Sequence, residues 1–217
     1  MTLKIDQNAF LKERNSPVYD EVIRFGIEKF ADIWASPLSF LRGIYSYDSQ
    51  IELTHYIPQG ILFEKMKDYL GGVDRLLDIG CGTGASGVPF IKKGILLDGI
   101  DVSMKMLKKA KKKGYKNLFQ RNFAKETFSD LKGKYEGAIS VGVVGDWFPP
   151  KILPKFLETL KDKSIIGVAG ELTREDNTLC KKILEGEGFL IKTNFKNFAY
   201  LIPGESPIDY YYTVAER

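Results

Sequence analysis

The sequence predicts an α/β fold, a largely parallel sheet flanked by helices, with a helical cap ahead of it. Three observations carry this. After Gly71-Gly72, short apolar runs alternate with helical segments, the texture of βαβ units; the first run breaks into alternate glycines just before a helix; and the last two runs follow each other with no helix between them. At 217 residues, 44% of them apolar, the chain has the size of one such domain and can bury a core without disulfides or structural metal.

From about Asp6 to Leu70 the pattern is helical. Ser16-Pro17 and Ser36-Pro37 each read as an N-cap followed by proline at the first helical position, and Val22, Phe25, Ile27, Phe30, Ile33 and Trp34 have roughly helical spacing. Tyr45 to Tyr56 reads as an ordered connection, and a helix over Gln59 to Leu70 leads to the glycine pair. Residues 1–70 are thus expected to form a cap packed as one unit with a main domain over 71–217, since no repeat or flexible linker separates them. Strands are expected near Arg75–Ile79, Leu96–Ile100, Asn117–Gln120, Gly137–Val141 and Ser164–Ala169. Two more, near Leu190–Asn197 and Asp209–Ala215, lack a crossover helix, so they must pair antiparallel or leave the sheet.

Composition narrows the function classes. Lys and Arg total 32 against 28 Asp and Glu, a net charge of +4, short of the excess expected of a dedicated nucleic-acid binder. Cys81 and Cys180 stand far apart without metal-ligand spacing, so neither a disulfide framework nor a metal site is expected. No apolar run suits a signal peptide or membrane span, which points to a cytoplasmic protein.

The most informative stretch is Leu76-Leu77-Asp78-Ile79-Gly80-Cys81-Gly82-Thr83-Gly84. Glycines at such a turn let the backbone bend sharply and let a ligand approach the main chain. Asp101, seventeen residues after Gly84, ends the second strand, where a carboxylate can accept hydrogen bonds from both hydroxyls of a ribose. Gly80, Cys81, Gly82 and Gly84 with Asp78 and Asp101 therefore describe a nucleoside site. Gly82 to Gly87 also satisfies G-x-G-x-x-G, so the glycine pattern leaves a dinucleotide open. Asp78 tips the balance: a negative side chain beside the loop disfavours a pyrophosphate and favours a cationic ligand end. A nicotinamide-dependent reductase would also want catalytic machinery, yet no Tyr-x-x-x-Lys occurs and the one histidine, His55, lies in the cap.

These residues resemble the class I S-adenosylmethionine-dependent methyltransferases, from about Tyr47 to the C-terminus. Asp78 to Gly84 matches that family's first motif, and Asp101-Val102-Ser103-Met104-Lys105-Met106-Leu107 is similar to its second-strand end. The resemblance implies a Rossmann-like seven-stranded sheet of order 3-2-1-4-5-7-6 with strand 7 antiparallel. It implies Asp101 as ribose ligand, Val102 against the adenine, Met106 nearby, Asn122 and Phe123 at the third strand's end where the family often has an aspartate, and backbone around Gly142 beside the methionine part. A closer resemblance, from Gly84 through Asp146, is to the Williams–Beuren region methyltransferase-like group and to quinone-pathway methyltransferases, in which a Tyr-Asp pair helps cover the cofactor; Tyr47-Asp48 is similar.

The reaction so implied transfers the methyl of S-adenosyl-L-methionine to a small acceptor, leaving S-adenosyl-L-homocysteine. The protein chiefly aligns nucleophile and methyl and excludes water. If the acceptor is a hydroxyl, a base helps, and Asp146, Trp147 and His55 are the candidates, with Tyr47 and Tyr56 reaching from the cap. For Asp146 the competing role is a solvated acid capping the helix entry at Pro149-Pro150; for His55 it is packing within the cap. Dense aromatic residues in cap and tail favour a flat or apolar acceptor, although core packing competes. The lysines at 105, 108, 109 and 111–113 read as a solvated helix end. No Asn-Pro-Pro-Tyr or Asp-Pro-Pro-Tyr follows the fourth strand, which disfavours a nucleobase amine as acceptor. A protein that binds the cofactor without transfer chemistry is the third reading.

Overall fold

A computed structural model describes residues 31, 32, 48, 51, 56–123, 125–200 and 206–217. Its sheet has seven strands: β1 Arg75–Ile79, β2 Leu96–Asp101, β3 Leu118–Gln120, β4 Tyr135–Val141, β5 Leu160–Gly170, β6 Leu190–Tyr200 and β7 Ile208–Glu216. Their order is β3-β2-β1-β4-β5-β7-β6, as the resemblance implied. The first five are parallel where they pair, and β7 runs antiparallel to both neighbours. The missing crossover helix after β6 dictates this: a short connection can only reverse the chain.

The helices are α1 Pro58–Met66, α2 Val88–Lys92, α3 Met104–Lys112, α4 Leu153–Leu157 and α5 Arg174–Gly186. On α3, Met106, Leu107 and Ala110 are buried while Lys105, Lys108, Lys111 and Lys112 face water. Its start is fixed by Ser103, whose hydroxyl oxygen accepts from the Met106 N–H. Thr173 caps α5 in the same way, accepting from the Asp176 N–H.

Alternation along the strands splits the core in two. Leu77, Ala138 and Ile166 join Phe128, Phe156 and Leu184 on the α4–α5 face. Leu76, Ile139 and Ile165 join Leu62, Phe90, Leu107 and Tyr115 on the α1–α3 face. With both faces covered, the central strands are buried almost throughout, and polar residues within them such as Asp78, Asp98 and Ser140 are buried too.

The largest departures from the bounds the sequence implied are at the start of β5 and the end of α1. β5 begins at Leu160, paired with Tyr135, because the exposed Lys161, Asp162 and Lys163 hide its start from a hydrophobicity pattern. The helix expected to reach Leu70 is α-helical only to Met66 and tightens into a 3₁₀ turn over Lys67–Tyr69. The proposed caps at Ser16-Pro17 and Ser36-Pro37 lie outside the described residues, as does most of the expected connection at 45–56, where Asp48 and Ile51 are helical. Among the described residues no helix is long and apolar enough to cross a membrane, no His/Cys/Asp/Glu group could hold a metal ion, and Cys81 and Cys180 are buried free thiols.

Candidate functional site at the carboxyl ends of the strands

The loop after β1 turns on glycines held at φ of +75°, +51° and +85° at positions 80, 82 and 84. At Gly80 a Cβ would stand 2.2 Å from Val143 Cγ2, and at Gly84 it would stand 2.9 Å from the Ala110 Cα on α3. Both positions thus exclude a side chain on steric and conformational grounds. The Gly80 and Cys81 N–H groups donate to the Ile100 carbonyl at 2.8 and 3.0 Å, which ties the loop to the end of β2. That end carries Asp101. Its Oδ2 accepts from the Gly82 N–H and its Oδ1 from the Ser103 N–H, each at 2.9 Å, so the carboxylate lies against the glycine loop. Burial pushes this carboxyl up to about 6, against the opposing pull of the Ser103 and Gly82 N–H groups.

Asp78, on β1 just before the loop, is fully buried. Its Oδ2 accepts from the Ser86 hydroxyl at 2.6 Å and from the Tyr115 hydroxyl at 2.5 Å, while its Oδ1 has no hydrogen-bond partner among the described residues. Desolvation pushes this carboxyl up to about 7, reinforced by Asp101 and opposed by the two hydroxyls.

Residues of the N-terminal segment reach the same loop. The Ser103 hydroxyl donates to Asp32, and Asp48 accepts from Lys109 at 2.6 Å and Lys113 at 3.5 Å. Lys113 also donates to the buried Thr83 hydroxyl at 3.1 Å. Lys109 and Lys113 are therefore not part of a solvated helix end: both hold Asp48, and Lys113 joins it to the glycine loop.

Beyond β4, Gly142 turns at φ +69°, where a Cβ would meet the hydroxyls of Tyr56 at 2.9 Å and Tyr210 at 3.4 Å. The rings of Tyr56, Tyr200 and Tyr210 pack mutually, with centroids 5.5 to 6.0 Å apart. The Tyr210 hydroxyl donates to Asp146 Oδ1 at 2.6 Å, and Asp146 Oδ2 accepts from the Glu171 N–H at 3.1 Å. Asp146 is thus tied to β5 and β7. The helical turn at Pro150 starts from Pro149 without a side-chain cap, which speaks against the competing capping role of Asp146.

Of the other sequence candidates, Val102 is half-buried at the end of β2, and Met106 is buried on α3. Asn122 is buried, and its N–H donates to Glu126 Oε1 at 2.7 Å. The Phe123 ring lies in the α4–α5 core against Phe128, Phe148 and Phe156, and the Cys81 side chain lies in the α1–α3 core. Trp147 is half-buried and packs against the core on the α4–α5 face. Tyr47 and His55 lie outside the described residues. Sequence reasoning missed Ser86, Tyr115, Asp32 and the link from Tyr210 to Asp146. The signal for Tyr115 existed only in three dimensions: a Cβ on Gly84 or on Gly87 would collide with its ring or hydroxyl.

Residues 76–163 match the family model of the methyltransferase domain. The chain has the class I methyltransferase fold. Carboxy-S-adenosyl-L-methionine synthase of Helicobacter pylori (strain G27) is 28% identical over 165 residues, 73% of this chain and 66% of that protein. A relative from Geobacillus sp. (strain WCH70) is 34% identical over 91 residues, and this chain covers 37% of its length. Thus the chain spans between about a third and two thirds of these relatives. Magnesium protoporphyrin IX methyltransferase from Synechocystis PCC 6803, solved with bound SAM, superposes over all of both chains at TM-score 0.55 and 17% identity. The plantazolicin methyltransferase BpumL, solved with SAH, gives TM-score 0.62 at 13% identity over 93% of this chain and all of that one. In this methyltransferase fold Asp78, the glycine loop, Asp101 and Gly142 all stand at the carboxyl edge of the sheet, where open α/β sheets take their ligands.

Proposed function

We propose that this chain binds S-adenosyl-L-methionine and transfers its methyl group to a small, flat or apolar acceptor. The observation that carries the reading is the pairing of two buried carboxyls with one glycine-rich loop: Asp101 against the Gly82 N–H, and Asp78 with an oxygen unpartnered among the described residues. A nucleoside with a cationic tail fits this donor set. When bound, it supplies a methyl on a sulfonium, already activated for displacement.

Asp101 accepts from the sugar hydroxyls; Val102, Met106 and Asn122 border the base, with Phe123 contributing through its backbone. Gly80, Cys81, Gly82 and Gly84 present main chain to the tail, Asp78 balances its charge, and Tyr47 covers the cofactor beside Asp48. Gly142 borders the methyl-transfer region. There Asp146, held by Tyr210 and the Glu171 N–H, orients polar groups around the acceptor, with Trp147 and His55 as its partners. No nucleic acid is needed as partner, and the protein works in the cytoplasm.

Calorimetry with S-adenosylhomocysteine and with NADH tests the reading: the first is expected to bind, and dinucleotide binding alone would overturn it. Asp101→Ala should weaken the adenosyl ligand about ten-fold or more. The long alignment to the carboxy-S-adenosyl-L-methionine synthase supports a second reading, in which the same site modifies the adenosyl ligand itself. Mass spectrometry of a reaction with S-adenosylmethionine and a metabolite extract separates the two. Released S-adenosylhomocysteine marks transfer, and a heavier adenosyl product marks the second.

A further inference from the structure

Asp78 and Asp98 are buried on neighbouring strands, and their surroundings differ in charge. Asp98 on β2 has a cation, Arg75, at 2.8 Å, and also accepts from Asn117 and from the Tyr135 hydroxyl. Asp78 on β1 has only neutral donors among the described residues. Ser86, on the loop leading into α2, and Tyr115, between α3 and β3, both donate to Oδ2. Among the described residues the titratable groups that act on it are Tyr115, Asp101 at the end of β2 and the buried Cys81 thiol in the glycine loop, none of them a cation. A carboxylate buried in this way carries an uncompensated charge, and the two hydroxyls on one oxygen leave the other bare.

We propose that Ser86 and Tyr115 are positioning residues that orient the Asp78 carboxyl, and that it sheds its proton to solvent as the cationic end of the adenosyl ligand enters. This rests on the proposed function. The balance is simple: a neutral carboxyl and a cation become a carboxylate beside a cation, with one proton released and no redox change. Before binding, the charge would sit alone in a low-dielectric interior; afterwards it has a counter-charge across the glycine loop. The carboxyl's raised affinity for its proton, to about 7, agrees with this geometry. Both hydroxyls favour the ionised form, so removing either makes the proton harder to lose.

The test is calorimetric titration of the whole chain with S-adenosylhomocysteine at about pH 7 in buffers of different ionisation enthalpy, with adenosine as the tail-less control. About half a proton should be released per S-adenosylhomocysteine, and markedly less with adenosine, which reaches Asp101 but brings no cation. Tyr115→Phe keeps the ring under Gly84 and removes the donor. It should release more proton at about pH 7 and bind more weakly there, with affinity converging on the wild type near pH 8.5. Ser86→Ala should behave alike. A loss of affinity equal at every pH would mean a merely structural role and would overturn the proposal. So would an Asp78→Asn variant that releases as many protons as the wild type. Failure of the wild type to bind any adenosyl ligand would instead sink the functional reading on which the proposal stands.

Discussion

Acid should stabilise the ligand-free protein across a window in which many proteins gain little. The perturbation is a shift from about pH 8 to pH 5.5, compared between the wild type and Asp78→Asn. In the folded chain the Asp78 carboxyl is raised from 3.8 to about 7, and the Asp101 carboxyl to about 6. A raised carboxylate holds its proton more tightly folded than unfolded, so ionising it costs stability; the cost is complete above the folded value and recedes as pH falls through it toward the unfolded one. For Asp78 the full cost is about 4 kcal/mol at 1.36 kcal/mol per unit. Between pH 8 and 5.5 about 2 kcal/mol of it is relieved, and Asp101 adds about 1 kcal/mol. Carboxyls with lowered values, such as Asp48 beside Lys109, titrate below this window. Urea unfolding should therefore show the wild type about 3 kcal/mol more stable at pH 5.5 than at pH 8, and Asp78→Asn only about 1 kcal/mol more stable. Every other titrating group is common to both proteins, so the difference between the two slopes isolates Asp78. Equal slopes, or a wild type that loses stability on acidification, would refute the burial argument.

Other substitutions probe the frame of the site. Gly80→Ala meets both a φ of +75° and Val143 Cγ2 at 2.2 Å from the new methyl; it should cost about 2 kcal/mol or more in chemical denaturation. Phe156→Ala empties a fully buried position between the Phe123 and Phe128 rings, and a loss of about 3–5 kcal/mol is expected by the same measurement.

Much of the frame was legible because it is written locally. Short runs rich in apolar residues mark β1, β2 and β4, their tips end in glycine or aspartate, and the short link between β6 and β7 announces the antiparallel turn of β7. The meeting of Asp101 with the loop glycines was legible for the same reason: one strand-helix-strand unit fixes their spacing. What the sequence hid are contacts between distant positions. Tyr115 meets Asp78 across 37 residues and Tyr210 meets Asp146 across 64, and nothing in their neighbourhoods distinguishes them from ordinary core tyrosines. Phe123 shows the converse. Its place after β3 made it a candidate cofactor-binding residue, yet three neighbouring phenylalanines draw its ring into the core. Likewise Lys109 and Lys113 lie in a lysine run that reads as water-facing until Asp48 is placed opposite them.

The ring of Tyr115 lies where side chains at 84 and 87 would otherwise be, and so gives the glycine turn a solid floor. A turn braced from beneath keeps its curvature before any guest arrives. Little ordering entropy is then left to lose on association, and a small molecule can find its cradle already shaped.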